Sequence, residues 1–448
     1  MSLAAVAAAV VFAAAPMYEC DRALCNPEAL DPFFARLLHA TDGGRPRTVH
    51  ILQIGDSHSA GDSITGPWRA ALQAKFGSGG RGVLPPGKPF DGFLPHGVHV
   101  DQSAGWTAEN TFRTDPASPD AFGISGYRLT AALPGAQLML TAEPAEAFRE
   151  VVVCAQTGIG AGAYTITLGA ISARITLGGT ERRIDCESVA SDVAQTQAVL
   201  VTDSGPVTLT SWGSFSGSGG IAVSNLGVVG AELKHFARTD DQALREEFSA
   251  YRPDLIVLEF GTNDGFVGHF SAATFESRLK EQIRRVRRLS AGTPIMIIGA
   301  PDAETKRGDL KHNQDPSERV PDEAGLAPSP LADPAAAAEP ENPDEAVIAE
   351  VAARAERDTG ERAAAWFSPP ALAQVRAIER EVALESGVAF WDWAQSMGGP
   401  GSADRWARAV PPLARGDRVH TTSAGGVQVA AMLEADFERA FQAYRASR

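Results

Sequence analysis

Four stretches of this chain, His50–Ile54, Asp254–Phe260, Pro294–Gly299 and Gly387–Trp391, are dominated by apolar residues and lie apart from one another. Strands that alternate apolar and polar residues can leave one face in water. Near-continuous apolar strands must be covered on both faces, which is the condition of a parallel sheet flanked by helices. Amphipathic stretches separate most of the four runs, and this alternation predicts an α/β fold. The segment "PPALAQVRAIEREVALESG" has the helical pattern: prolines at its start, Leu372, Val375, Ile378 and Val382 on one stripe, and Gly387 as a stop. "TTSAGGVQVAAMLEADFERAF" repeats it, with Ser423 expected as the N-cap.

The pattern changes between about Val100 and Gly220. Short β-branched runs such as "AYTITLGAISARITLGG" and "AVLVTDSGPVTLTSW" are separated by Gly, Ser and Asp turns, as in an antiparallel sandwich. The expected organisation is an α/β domain built from residues 16–99 and 221–448, with a β-sandwich inserted at 100–220. Roughly Lys306 to Glu345, including "DPAAAAEPENPDEA", holds too few large apolar residues to form a core and is expected to be a low-complexity loop.

Residues 1–15 are apolar and end in Ala13-Ala14-Ala15, as the core and small-residue cleavage site of a secretory leader do, although a basic leader segment is missing. The stretch is too short to span a bilayer well, so no stable membrane insertion is expected once it is removed. The other reading is a short buried N-terminal helix. Four cysteines in two local clusters fit an oxidising compartment, with Cys20–Cys25 and Cys154–Cys186 the expected pairs. No CxxC occurs, and no metal site is expected. The 40 basic and 55 acidic side chains leave a formal charge of −15, which argues against nucleic acid as a partner.

In an open parallel sheet, reactive groups gather beyond the carboxyl ends of the strands. Ser57, in "HILQIGDSHSAGD", sits just past such an end. A serine hydroxyl needs a base for its proton and donors for the oxyanion that its attack creates. His420 in "ARGDRVHTTSAGG" is the candidate base, and Asp417, three residues earlier, can fold back onto the imidazole and orient it. Asn263 in "LIVLEFGTNDGF" offers an uncharged amide donor. In "VSNLGVVGAEL", a glycine lets backbone approach a ligand, and Gly230 is chosen over Gly227. Trp106, Trp212, Trp391, Trp393 and Trp406 are candidate flat faces for sugar rings, or else core residues.

Gly55-Asp56-Ser57, Gly230, Gly261-Thr262-Asn263-Asp264 and Asp417-x-x-His420, in this order, resemble the sequence blocks of the SGNH (GDSL-type) hydrolases. The resemblance covers Thr48–Leu84, Ile221–Pro301 and Ala389–Phe441. It implies a flavodoxin-like parallel sheet and a serine esterase. Ser57 would be the nucleophile, His420 the base and Asp417 its orienter. The amides of Ser57 and Gly230 and the side chain of Asn263 would form the oxyanion hole, Asp56 would brace the turn, and no cofactor would be needed. His58 departs from the aliphatic residue usual in lipolytic members. "LQIGDSHSAGD" and "GVAFWDWAQSMGG", with the inserted β domain, are similar to exported peptidoglycan O-acetylesterases of this superfamily. The implied activity is removal of O-acetyl groups from a cell-envelope polysaccharide, in the periplasm or outside the cell. The alternatives are a polysaccharide O-acyltransferase using the same residues and a catalytically silent carbohydrate-binding protein.

Overall fold

Five parallel strands form the centre of the structure, a computed structural model that describes residues 20–41, 47–116, 121–306 and 366–448. The candidate leader and all but the first residue of the low-complexity stretch lie outside the described residues. In space the strands run Ile221–Gly227, Val49–Gly55, Leu255–Glu259, Ile295–Ile298 and Ala389–Trp391. Numbered along the chain, this is the order 2-1-3-4-5 of a flavodoxin-like sheet. The short antiparallel strands Leu24–Cys25 and Cys20–Asp21 pair at the far edge, where the Cys20–Cys25 disulfide closes the hairpin.

Both faces of this sheet are buried, which accounts for the apolar runs. Along Leu255–Glu259, Leu255 and Val257 join a core with Phe34, Trp68 and Phe437 from the helices Asp31–Thr41, Thr65–Phe76 and Ser423–Ala446. Ile256 and Leu258 point the other way, into a core with Phe248, Ile283 and Val382 from Asp241–Tyr251, Ala272–Leu289 and Pro370–Glu385. One expected detail is corrected. The last helix is capped by Thr422, whose side chain accepts from the Gly425 amide, while Ser423 is already the first helical residue.

Between the first two strands of the parallel sheet the chain builds two antiparallel sheets. One has the order Ile171–Thr176, Ala163–Leu168, Gln197–Ser204, Gln137–Ala142, Val98–Gln102. The other runs Arg183–Gln195, Phe148–Thr157, Val207–Phe215, Tyr127–Ala131, Trp106–Asn110, with Gly82–Leu84 also paired to Val207–Phe215. Their inner faces share a core that includes Leu140, Val153, Ile166, Leu209 and Trp212, as a sandwich requires. Cys154 and Cys186 are cross-strand neighbours and form the second disulfide.

The strand Val49–Gly55 lies between Ile221–Gly227, reached through the helix Thr65–Phe76 and the sandwich, and Leu255–Glu259, reached from Ile221–Gly227 through Asp241–Tyr251, and these two helices cover opposite faces of the sheet. Such a switch point opens a crevice at the carboxyl ends of the strands. Ser57 lies there.

Candidate active site

Ser57 opens the four-residue helix Ser57–Ala60, directly after the strand Val49–Gly55. Asp56 caps this helix by accepting the His58 amide at 2.9 Å. The strand ends are knitted together around the turn, since Asp56 donates its amide to the Glu259 carbonyl at 3.2 Å and Val228 donates to the Gly55 carbonyl at 3.1 Å. The hydroxyl is therefore carried on a turn fixed from both sides.

The Ser57 Oγ lies 2.9 Å from His420 Nε2. On the other side of that ring, Nδ1 is 2.8 Å from Asp417 Oδ2. The second carboxylate oxygen, Oδ1, accepts the backbone amides of Val419 at 2.9 Å and His420 at 3.0 Å. Arg418, at φ 58°, turns the chain so that both amides meet the same oxygen. It is itself held by Glu304 at 2.5 Å and Asp404 at 2.8 Å. Burial would raise the Asp417 carboxyl, but the imidazole and the two amides outweigh it and hold the group down at about 2. The donor set thus favours a carboxylate facing an Nδ1–H, which leaves Nε2 free to accept a proton from the serine.

Asn263 and Gly230 adjoin the same turn. Asn263 Nδ2 donates to Asp56 Oδ2 and to the carbonyl of Ala231, the residue after Gly230, both at 3.0 Å, so two of the sequence blocks and the neighbour of a third meet at one amide nitrogen. The two glycines of "NLGVVGAE" separate in role. A Cβ on Gly227 would lie 2.2 Å from the Ala60 amide nitrogen and the Asp56 carbonyl, so Gly227 lets its strand pack against the Ser57 turn. Gly230 has φ 82° and faces the ring of Phe112, 3.4 Å from its Cβ position. Phe112 belongs to the turn after the strand Trp106–Asn110, so a residue of the β region stands over the Gly230 loop. Arg238 reinforces that contact by donating to the carbonyls of Thr111 and Thr114.

Beneath the turn lies a buried ionic shell that the motif alone does not reveal. His58 Nδ1 is 3.1 Å from Asp56 Oδ1 and 3.8 Å from Glu259 Oε1, and Ser59 donates to Glu259 Oε2 at 2.8 Å. Burial and the Asp56 charge push the Glu259 carboxyl up to about 8. Burial, with Glu232 nearby, pushes Asp264 up to about 7. Asp56, His58 and Glu259 present donor atoms within 4.8 Å of one another, which is the spacing of a metal site. The chemistry of the set fits a proton better. The 3.1 Å contact has hydrogen-bond length, and Asp56 Oδ1 already accepts the His58 amide. A signal for Glu259 is present in the sequence, because it is an acid embedded in the otherwise apolar stretch Leu255–Phe260.

Most of the tryptophans do not offer free faces. Trp212, Trp391, Trp393 and Trp406 are buried, and the last three serve the core of the parallel sheet. Trp391 Nε1 donates to Asp436 and Trp406 Nε1 to the Met397 carbonyl, which uses the polar edge of each indole internally. Trp106 is half-buried and donates to the Gln137 carbonyl at 3.3 Å.

Comparison with known proteins places this geometry in context. The structure is similar to that of a peptidoglycan O-acetylesterase, with a TM-score of 0.68 and 23% identity over 92% of this chain and 96% of that one. It also matches a family two carbohydrate esterase from Cellvibrio japonicus at 14% identity, over 46% of this chain and 79% of that one, with a TM-score of 0.17. No match was found among the curated proteins. The GDSL-like Lipase/Acylhydrolase family matches residues 200–426, a span that includes Gly230, Asn263, Asp417 and His420. Ser57 lies upstream of the matched span, because the β-sandwich divides the hydrolase fold between its first two strands. That span is half of the chain, and the chain belongs to the GDSL-like lipase/acylhydrolase family of carboxylic ester hydrolases.

Proposed function

We propose that this protein is an exported serine esterase that removes O-acetyl groups from a cell-envelope polysaccharide, with peptidoglycan as the first substrate to test. The observation that carries the mechanism is the chain of contacts Ser57 Oγ to His420 Nε2 at 2.9 Å and His420 Nδ1 to Asp417 Oδ2 at 2.8 Å. Ser57 Oγ attacks the acetyl carbonyl carbon as its proton passes to His420 Nε2. The tetrahedral intermediate then expels the sugar oxygen, which takes that proton, and the acetyl group stays on Ser57. Water, deprotonated by His420, attacks the acyl-enzyme and releases acetate, and the proton returns to Ser57. Asp417 keeps its carboxylate throughout and orients the ring.

The amides of Ser57 and Gly230 and the side chain of Asn263 serve the oxyanion. Asn263 Nδ2 already donates to two acceptors, so serving the oxyanion exchanges one of these bonds for one to the substrate oxygen. Replacing Asn263 by alanine is expected to lower kcat by about 10²-fold, or about 3 kcal/mol of transition-state stabilisation, with a smaller change in KM. Steady-state kinetics on 4-nitrophenyl acetate measure this, and an unchanged kcat removes Asn263 from the oxyanion hole.

Support for the substrate class comes from two sides. The chain shares its fold along most of its length with a peptidoglycan O-acetylesterase. Phe112, from the turn after the strand Trp106–Asn110 in the β region, packs over Gly230, and this contact between the β region and the site supports a glycan-sized substrate. Two disulfides suit action outside the cytoplasm. Among the described residues no helix is long and apolar enough to cross a membrane. The deciding experiment incubates the protein with O-acetylated peptidoglycan, plant xylan and capsular glycan, with and without oligosaccharide acceptors, and quantifies free acetate. Acetate release fastest from peptidoglycan is expected. Transfer exceeding hydrolysis when acceptor is present, or activity on long-chain esters alone, overturns the reading.

A further inference from the structure

His58 is neither nucleophile, base nor oxyanion donor, yet it is only 4% exposed and stands between the groups that are. Its Nδ1 faces Asp56 Oδ1 at 3.1 Å and Glu259 Oε1 at 3.8 Å. Its Nε2 faces the Val419 carbonyl at 3.1 Å, one residue before His420. Glu259 Oε1 has no hydrogen-bond partner among the described residues, and the Trp393 ring packs edge-on against the imidazole at 4.9 Å. The two polar atoms within hydrogen-bond distance of the ring nitrogens, Asp56 Oδ1 and the Val419 carbonyl oxygen, are both acceptors. A neutral imidazole carries one N–H and one lone pair, so either tautomer would press a lone pair against a carboxylate or a carbonyl inside a buried site. Only the doubly protonated ring supplies a donor to both sides.

We propose that His58 is a positioning residue, a buried imidazolium that ties the Ser57 turn to the backbone of the His420 loop and so fixes the separation of hydroxyl and base. This inference rests on the reading of Ser57 and His420 as the reacting pair. The tie runs parallel to the Ser57–His420 contact, and the centroids of the two imidazoles are 5.4 Å apart. A further direct polar link between the segments is weaker: Ser63 Oγ and Thr421 Oγ1 at 3.3 Å. The His420 loop is otherwise anchored away from the serine, through Arg418 to Glu304 and Asp404.

The charged surroundings explain why the proton persists. Asp56 faces His58 from its own turn and Glu259 from the end of the strand Leu255–Glu259, while the loop bearing Asp417 and His420 presents the Val419 carbonyl. Asp264 is in electrostatic contact with Asp56, and Glu379 with both Asp264 and Glu259. Burial alone would lower the His58 pKa, but Asp56, Glu259 and the carbonyl together raise it to about 9. The tie is therefore intact at neutral pH and is lost as pH rises through about 9, when Nε2 or Nδ1 gives up its hydrogen.

The test compares wild type, His58→Gln and Ser57→Ala on 4-nitrophenyl acetate across pH. Glutamine keeps a neutral amide donor but cannot hold both sides. At neutral pH kcat is expected to fall about 10- to 100-fold with KM little changed, the size of effect that a displaced reacting group produces. Wild-type kcat/KM is expected to decline as pH rises through about 9, and this limb should be missing in the variant. A variant with wild-type kcat, or one that keeps the alkaline limb, overturns the proposal. If His58→Gln does not fold, nitrogen NMR of the wild-type ring decides: two ring N–H groups at neutral pH are expected, and one overturns it. An active Ser57→Ala would instead remove the underlying reading of the reacting pair, so the two failures are distinguishable.

Discussion

Replacing Ser57 by alanine is expected to reduce kcat on short-chain esters by at least about 10⁴-fold, while leaving the fold intact. The size of the effect follows from the absence of a substitute close by. The nearest hydroxyl in the same turn, Ser59 Oγ, is fully buried, donates to Glu259 Oε2 at 2.8 Å and accepts from Gln53 at 2.8 Å. It faces away from His420 and has no access to an acyl carbon. Water activated by His420 remains, but without the acyl-enzyme the single difficult step is not divided into two easier ones. The structural cost is small, because the turn is held by Asp56 and by the strand-end hydrogen bonds rather than by the serine hydroxyl. Kinetics together with a thermal melt measure both halves of the expectation. Activity within tenfold of wild type would remove Ser57 from the mechanism.

The parallel sheet is legible in the sequence because its strands are buried on two faces, so Leu255 and Val257 serve one core while Ile256 and Leu258 serve the other. The strand Ile221–Gly227 breaks that signal with Ser224 and Asn225. Both are buried polar residues with work of their own. Ser224 Oγ is 2.7 Å from His50 Nε2 and accepts the Val83 amide, and Asn225 donates to the Ser59 carbonyl and accepts from Arg81. Side chains with such distant partners look, in sequence, like a loop. The same limit applies to the helix cap, where Thr421-Thr422-Ser423 offers three hydroxyls and only the local backbone decides that Thr422 is the acceptor.

Within the site, Ser57, Asn263, Asp417 and His420 can be found because each lies in a short motif next to a strand or helix end. Their meeting is a consequence of the sheet order rather than of any one motif. The buried shell is harder to read. His58 stands out as an unusual residue after the serine, but what it holds is the carbonyl of Val419, and a backbone acceptor leaves no mark in the sequence. Tryptophan fails for the opposite reason: the residue type fits both a sugar platform and a core, and only the burial of Trp391 and Trp393 separates them.

The second large effect is expected at Asp417, where asparagine changes the size of the side chain very little and its hydrogen bonding completely. One carboxylate oxygen accepts two backbone amides and the other accepts the His420 Nδ1–H. Asparagine has one oxygen. If that oxygen stays with the two amides, the new NH₂ group points at Nδ1, and the ring must present a lone pair there and carry its hydrogen on Nε2. An Nε2–H cannot take a proton from Ser57, so kcat is expected to fall by about 10⁴-fold although the imidazole has hardly moved. If the amide flips, the oxygen meets Nδ1–H but the NH₂ faces the Val419 and His420 amides, and the turn loosens. Both outcomes reduce the rate, and they differ in stability. Asp417 titrates well below the usual carboxylate range, so it stabilises the native protein at pH above its ordinary value, and that contribution is lost as pH falls toward about 2. Either variant loses the carboxylate's contribution at neutral pH and with it this acid-side dependence, but one locked in the wrong tautomer should lower the neutral-pH melting temperature by that contribution alone, whereas a loosened turn should lower it further. Kinetics paired with thermal melts across pH separate the two. A folded Asp417→Asn enzyme with near-normal kcat would show that the imidazole is oriented by something other than this carboxylate.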